Sequence, residues 1–154
     1  MKPKDQELLW LSHFGKNWTD KGMIIKAESR EPGFRKIEIH TLPIKSICEF
    51  GCNRGYNLVA LSKIGNYELT GVDLQDYALK QCTNDKINLV CSNCSKTPFT
   101  DNSFDMVMTV GLLCVTEGDT MRSIIKEIKR VSKRYVLILE YPLAINEEDY
   151  PKNA

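Results

Sequence analysis

The stretch Ile44-Lys45-Ser46-Ile47-Cys48-Glu49-Phe50-Gly51-Cys52-Asn53-Arg54-Gly55, with Tyr67-Glu68-Leu69-Thr70-Gly71-Val72-Asp73-Leu74 beyond it, decides how the chain reads. Ile44–Phe50 is a short apolar run closed by Gly51, which predicts a buried strand. Asn57–Ile64 predicts a helix that stops before Gly65-Asn66, and Tyr67–Leu74 a second strand. Strands that are apolar on nearly every position must be covered on both faces, which is the habit of parallel sheets.

The same alternation continues downstream. Gln75–Cys82 predicts a short helix, Lys86–Cys91 a third strand and, after a polar loop with Pro98, Phe104–Val110 a fourth. Asp119 or Thr120 can cap a helix running to about Ser132, with Ile124, Ile125, Ile128 and Val131 on one face. Tyr135–Glu140 predicts the fifth strand. The expected fold is α/β: a Rossmann-like, doubly wound sheet of about five parallel strands in the order 3-2-1-4-5, with helices on both faces. Upstream, Asp5 to about Trp18 carries Leu8, Leu9, Trp10, Leu11, Phe14 and Trp18 at roughly helical spacing. Residues 20–40 are ambiguous: Pro32-Gly33 is expected to break them, and Phe34, Ile37 and Ile39 fit a short helix or a strand. Residues 1–40 are therefore taken as an N-terminal helical segment, and 41–154 as the domain carrying the site, within one compact unit.

Hydrophobic residues make up 42% and charged residues 27% of the 154, the balance of a soluble globular domain. No apolar run has the length of a membrane span, and the first residues lack the core of a signal peptide, so a cytoplasmic setting is expected. The formal charge of +1 supplies no bulk attraction to nucleic acid or anionic membranes, and neither is expected as a partner. Six cysteines (Cys48, Cys52, Cys82, Cys91, Cys94, Cys114) invite a disulfide or zinc reading. The Cys48/Cys52 gap is wide for a zinc ribbon, and both close pairs lie at strand ends, so reduced thiols and no metal are expected.

In a doubly wound sheet, ligands sit beyond the carboxyl ends of the strands. After strand one, Gly51 permits a sharp turn and Gly55 a close approach of backbone to ligand. Dinucleotide sites use G-x-G-x-x-G, whose second glycine makes room for pyrophosphate. Here that position is Asn53. S-adenosylmethionine (SAM) has no phosphate, and its ammonium needs oxygen acceptors, so the G-x-x-x-G spacing suits it better. After strand two, Asp73 stands 18 residues past Gly55, where an acidic side chain can accept both ribose hydroxyls of an adenosine. Asp73 or Asp76 can equally cap the following helix. After strand three, Asn93 can hydrogen-bond an adenine edge with Cys94 beside the ring, although an Asn/Ser-rich loop needs no ligand. Asp105 reads as structural. Thr109-Val110-Gly111-Leu112-Leu113, after strand four, is expected to line a methyl-transfer cavity.

The strings EFGCNRGYNL, GVDL, PFTDNSFDMVMTVGLL and EIKRVSKRYVLILEY resemble class I SAM-dependent methyltransferases. Within them the chain resembles the methylases associated with pseudaminic acid biosynthesis. Those have a Gly-loop followed by Asn-Leu, a "T-x-G-V-L" segment after strand four and an "S-x-R-Y-(apolar)-E-Y" ending. Ser132-Lys133-Arg134-Tyr135 and Glu140-Tyr141 fit the last of these, and Trp10 to Asp20 resembles their "W-x-x-x-F-G-x-x-Y" opening. The resemblance implies that Glu49, Gly51 and Gly55 contact the methionine part of SAM and that Asp73 holds the ribose. It further implies Leu74 on the adenine, Asn93 and Cys94 at its edge, and a lid that includes Trp10, Phe14 and Trp18. An amphipathic helix packed on the core accounts for those aromatics equally well.

Two departures stand out. Val115 replaces a histidine common in the family, so that role does not carry over. The chain runs only 14 residues past Glu140, whereas the family usually adds a helix and two strands, so a sheet lacking those last two strands is expected. Either a truncation or a minimal version fits, and an unpaired edge strand would favour a homodimer. No residue announces itself as a catalytic base: His13 reaches the site only if the first helix is a lid, and His40 precedes strand one. The expected function is methyl transfer from SAM to a small-molecule acceptor, a nonulosonic sugar or sugar nucleotide by the resemblance. The alternatives are a SAM-binding but inactive partner or regulator and, disfavoured by Asn53, an NAD-dependent oxidoreductase.

Overall fold

Ser46–Phe50 (β1), Glu68–Asp73 (β2), Asn88–Cys91 (β3), Phe104–Val110 (β4) and Ser132–Leu139 (β5) form one sheet, in a computed structural model that describes residues 2–21 and 27–140. Every pairing is parallel and the order is β3-β2-β1-β4-β5, as expected from the alternation of strands and helices. Its register aligns Phe50 with Val72 and Thr109, and Asp73 with Cys91, so the strands deliver their carboxyl ends to one rim.

Two apolar cores sandwich the sheet, because successive strand residues face opposite sides. Ile47 and Met108 pack with Phe34 of α3 (Ala27–Lys36), Leu58 of α4 (Tyr56–Leu61) and Leu79 of α5 (Asp76–Leu79). Cys48, Phe50 and Val107 pack with Ile124, Ile128 and Val131 of α6 (Gly118–Val131). Ile47, Phe50, Leu58, Val72 and Val107 have no exposed surface. Burying each such side chain is worth about 1.5–3 kcal/mol, which fixes strand register against a one-residue slip.

The ends of the elements differ from expectation in ways the packing explains. The segment Asp5–Trp18 is not one helix but parts of two, α1 (Pro3–Leu11) and α2 (His13–Lys21). Ser12 divides them: its backbone is extended, and its hydroxyl donates to Leu9 O at 2.6 Å while accepting from Phe14 N at 3.1 Å. Pro32-Gly33 does not break the chain; it lies within α3, where the burial of Ala27 and Phe34 overrides local propensity. Glu117, rather than Asp119 or Thr120, stands at the cap of α6, and β5 follows that helix directly from Ser132. Residues 22–26, Tyr141 and the tail to Ala154 lie outside the described residues. No described helix is long and apolar enough to cross a membrane.

Candidate functional site

The turn after β1 is built on left-handed backbone. Gly51 and Gly55 each have φ of 72° and Asn53 has φ of 48°. The turn folds back on β2, with the amides of Gly51 and Cys52 donating to Val72 O at 2.8 and 3.0 Å. A Cβ on Gly51 would stand 2.9 Å from Leu112 Cδ1, so the residue is chosen for space as well as for φ.

Asp73 holds this turn from the next strand. Its Oδ2 accepts from Asn53 N at 2.8 Å and its Oδ1 from Gln75 N at 2.9 Å. Burial raises its pKa, and the amides of Gln75, Asn53 and Leu74 oppose that rise by favouring the carboxylate. The cap position of α5 is Gln75, with no side-chain cap bond, so neither Asp73 nor Asp76 caps the helix as expected. Asp73 makes an Asx-type turn ahead of it and braces the Gly-loop. Three amides against about four lone-pair sites leave the carboxylate some acceptor capacity.

Glu49 is fully buried at the end of β1. Its Oε1 accepts from Asn57 Nδ2, in the first turn of α4, at 2.5 Å, while its Oε2 has no hydrogen-bond partner among the described residues. Desolvation pushes its pKa up to about 8, against the lowering effects of the Asn57 hydrogen bond and of the Arg30 charge on α3.

At the other strand ends, Leu74 is half-buried beside Asp73, and Cys94 is buried. Burial, reinforced by Asp73, pushes the Cys94 thiol far up, so it is neutral. Asn93 is engaged at both ends of its amide: Oδ1 accepts from Ser95 N and Oγ at 2.8 Å each, and Nδ2 donates to Glu7 Oε2 at 3.2 Å. Thr109 is buried at the end of β4 and donates from Oγ1 to Glu140 Oε1 at 2.9 Å. Glu140 Oε2 accepts from Cys114 N at 3.0 Å, so one carboxylate fastens β4 to the 3-10 turn Leu113–Val115. All nine predicted residues thus lie at the carboxyl rim. Asp105 lies at the opposite end of β4, accepting from Lys45 and Ser46 at 2.8 and 3.2 Å. No disulfide joins the six cysteines, all of which lie among the described residues.

The α1–α2 pair reaches this rim through polar contacts. Gln6 donates to Val115 O at 3.4 Å, Asn53 Nδ2 to Thr19 Oγ1 at 2.9 Å, and Arg54 to Thr19 O at 2.5 Å. Trp10, Phe14 and Trp18 pack on one another, with centroids 5.4–6.2 Å apart, and neither apolar core includes them. His13 lines an open groove of about 400 Å³ with Lys16, Gln75 and Tyr77, whereas His40 is exposed before β1.

Arg30, Asn57, Thr19, Arg54 and Glu140 belong to this region and were not singled out as ligand contacts from sequence. Only Asn57 and Glu140 carried a signal, as members of the Asn-Leu and Glu-Tyr patterns.

The chain is similar to several known proteins. A cycloartenol-C-24-methyltransferase from Arabidopsis thaliana is 26% identical over 92% of this chain and 44% of its own length. An uncharacterised protein from Haemophilus influenzae is 29% identical over 69% of this chain and 45% of its own. The chain spans less than half the length of the curated relatives it matches. Among solved structures, a SAM-dependent methyltransferase from Archaeoglobus fulgidus superposes with a TM-score of 0.62 at 19% identity, over 80% of this chain and 56% of that one. The plantazolicin methyltransferase BpumL, solved with S-adenosylhomocysteine (SAH), gives 0.58 at 19% identity, over 84% and 55%. The family model described as a methyltransferase domain matches residues 48–138, from β1 to the penultimate residue of β5, and the chain belongs to that family.

Proposed function

We propose that this chain binds SAM across the carboxyl ends of β1 to β4 and transfers its methyl group to a small-molecule acceptor. One observation carries the reading. Two buried carboxylates, Glu49 and Asp73, stand on neighbouring strands on either side of the left-handed Gly51–Gly55 turn, and one oxygen of Glu49 is unpartnered. An orphaned buried acceptor suits an ammonium, and Asp73 keeps acceptor capacity for a ribose diol. Leu74 supplies an apolar surface for the adenine beside the Asn93–Cys94 loop.

When bound, SAM supplies an electrophilic methyl group on a sulfonium, which needs little covalent help. The chain contributes alignment of the acceptor and exclusion of water. Leu112, packed on Gly51, and the turn fastened by Glu140 wall the side where an acceptor must approach. The α1–α2 pair acts as the lid. Its Thr19 is linked both to Asn53 on the Gly-loop and to Gln75 beside Asp73, so closing it encloses the cofactor.

The acceptor we favour is a nonulosonic sugar or its nucleotide, on the resemblance of Asn57-Leu58 and Ser132–Tyr135 to the pseudaminic acid methylases, in a cytoplasmic setting. A homodimer along the edge strand β5, where Val136 and Ile138 are exposed, completes the reading. Methyl-labelled SAM offered with nucleotide-activated nonulosonic acids and, in parallel, with sterols tests it. Label in the sugar fraction supports it, and label in sterols alone replaces the acceptor. A second reading, a cofactor-binding regulator without turnover, draws on Glu140, whose carboxylate is engaged on both oxygens rather than free as a base. Cofactor binding without label in any acceptor would favour it.

A further inference from the structure

The cofactor reading leaves His13 without a task, yet this residue lines the open groove of about 400 Å³ where α1 and α2 meet α5. That volume lies in the range that holds a small ligand. The polar side chains around it are mostly donors. Lys16 holds its ammonium 4.8 Å from the centroid of the Tyr77 ring, and the Tyr77 hydroxyl donates to Asp20 Oδ1 at 2.8 Å, which fixes the ring beneath it. Among the described residues no carboxylate pairs with Lys16, and Asp76, the carboxylate in the groove, is already paired with Lys80.

Gln75 adds a donor from the floor, where it is only 8% exposed. Asn53 Nδ2 donates to Thr19 Oγ1, so the Thr19 hydroxyl turns its own proton to Gln75 Oε1, 3.5 Å away. This leaves Nε2 as the amide atom free to serve the groove, since no described residue accepts from it. The backbone N–H of Gln75 meanwhile donates to Asp73 Oδ1 at 2.9 Å, so the groove adjoins the residue proposed to hold the ribose.

An ammonium, an imidazole and an amide N–H, with Leu11 and Tyr77 as exposed apolar walls, complement an anion carried on a carbon body. A cation would be repelled by Lys16, and a neutral sugar would leave that charge unmatched. We infer that this groove binds the anionic group of the methyl acceptor, a carboxylate or a phosphate, through Lys16, His13 and Gln75. The inference rests on the methyltransferase reading and deepens it by making the acceptor an acid. His13 and Lys16 come from α2, whereas Gln75 and Tyr77 belong to the β2–α5 side, so an anion bound between them also holds the lid against the rim.

Two anionic probes separate the sources of charge: N-acetylneuraminic acid, which has a carboxylate and no phosphate, and cytidine monophosphate, which has a phosphate and no carboxylate. N-acetylglucosamine and cytidine serve as their neutral counterparts, in calorimetry on the full chain with and without SAH. One anion or both are expected to bind about fivefold or more tightly than the neutral counterpart, with SAH present or absent. Lys16→Gln is expected to remove about fivefold, the strength of an exposed ion pair, with SAH affinity unchanged, and Lys16→Arg to retain the preference. The anion preferred identifies the acidic group of the acceptor. Three results would each overturn the inference and leave cofactor binding standing: equal affinity for anion and neutral counterpart, binding of SAH but of neither anion, or an anion affinity that Lys16→Gln leaves unchanged. Anion binding abolished by SAH would place the anion in the cofactor site and overturn it as well. A chain that binds no SAH would overturn the cofactor reading itself, and the inference with it.

Discussion

Glu49 is where burial and chemistry conflict most openly. Unfolded, its carboxyl ionises near 4.5, whereas in the folded chain burial holds the proton to about 8. The folded state therefore binds more protons between those values. The stability this provides is complete below the unfolded pKa and is lost as pH rises through about 8. The urea midpoint of the ligand-free protein is expected to fall between pH 5 and pH 9, and to fall less in Glu49→Gln; identical slopes would show that Glu49 is not the titrating group. An ammonium beside Glu49 favours the carboxylate, so SAM affinity is expected to rise from pH 6 to pH 8 in the wild type and to stay flat in Glu49→Gln. Asp73 serves the loop and the ligand together. Asp73→Ala is expected to weaken SAM binding about tenfold or more in calorimetry, and unchanged affinity would remove its ribose role.

Elements differ in how firmly they are held, and in how far their sequence announced them. The strands were legible because Ile47, Cys48, Phe50, Val72 and Val107 are apolar on both faces, a pattern that parallel pairing alone satisfies. The rim residues followed from strand order. The Ser12 break was hidden because Leu8, Leu9, Leu11 and Phe14 keep helical spacing across it, while a single hydroxyl stops one helix and starts the next. Arg30 was hidden because Pro32-Gly33 made its helix look interrupted, and nothing local predicts that α3 reaches Glu49. Polar contacts attach α1 and α2 to the rim without a share in either apolar core, so their amides are expected to exchange hydrogen much faster than those of β1 and β4 and to become protected with SAM. Equal protection before and after cofactor would contradict the lid. On the opposite face, Glu127 anchors α6, accepting from Thr97 N and Oγ1 at 2.7 Å each and from Arg130. Chiefly through Arg130, its pKa is held at about 2. Glu127→Ala is expected to cost about 2 kcal/mol in chemical denaturation, and a loss within experimental error would contradict that role.

At the scale of the whole molecule, the parallel sheet makes one rim out of five strand ends, and the physics of each strand matters to function mainly through that convergence. β1 brings the Gly-loop and Glu49, β2 brings Asp73, and β3 brings Asn93 and Cys94. β4 and β5 bring Thr109 and Glu140, joined by a 2.9 Å hydrogen bond. The same fold hosts dinucleotides elsewhere, and the distinction here comes down to Asn53 in the Gly-loop and the buried Glu49 beside it, one of whose oxygens lacks a partner among the described residues. Calorimetric titration of this chain with SAM, SAH and NAD under one buffer condition puts that distinction to the test. Saturable binding of SAM and SAH with no heat from NAD is the expected result. Binding of NAD with none of either SAM species would contradict the account at its centre.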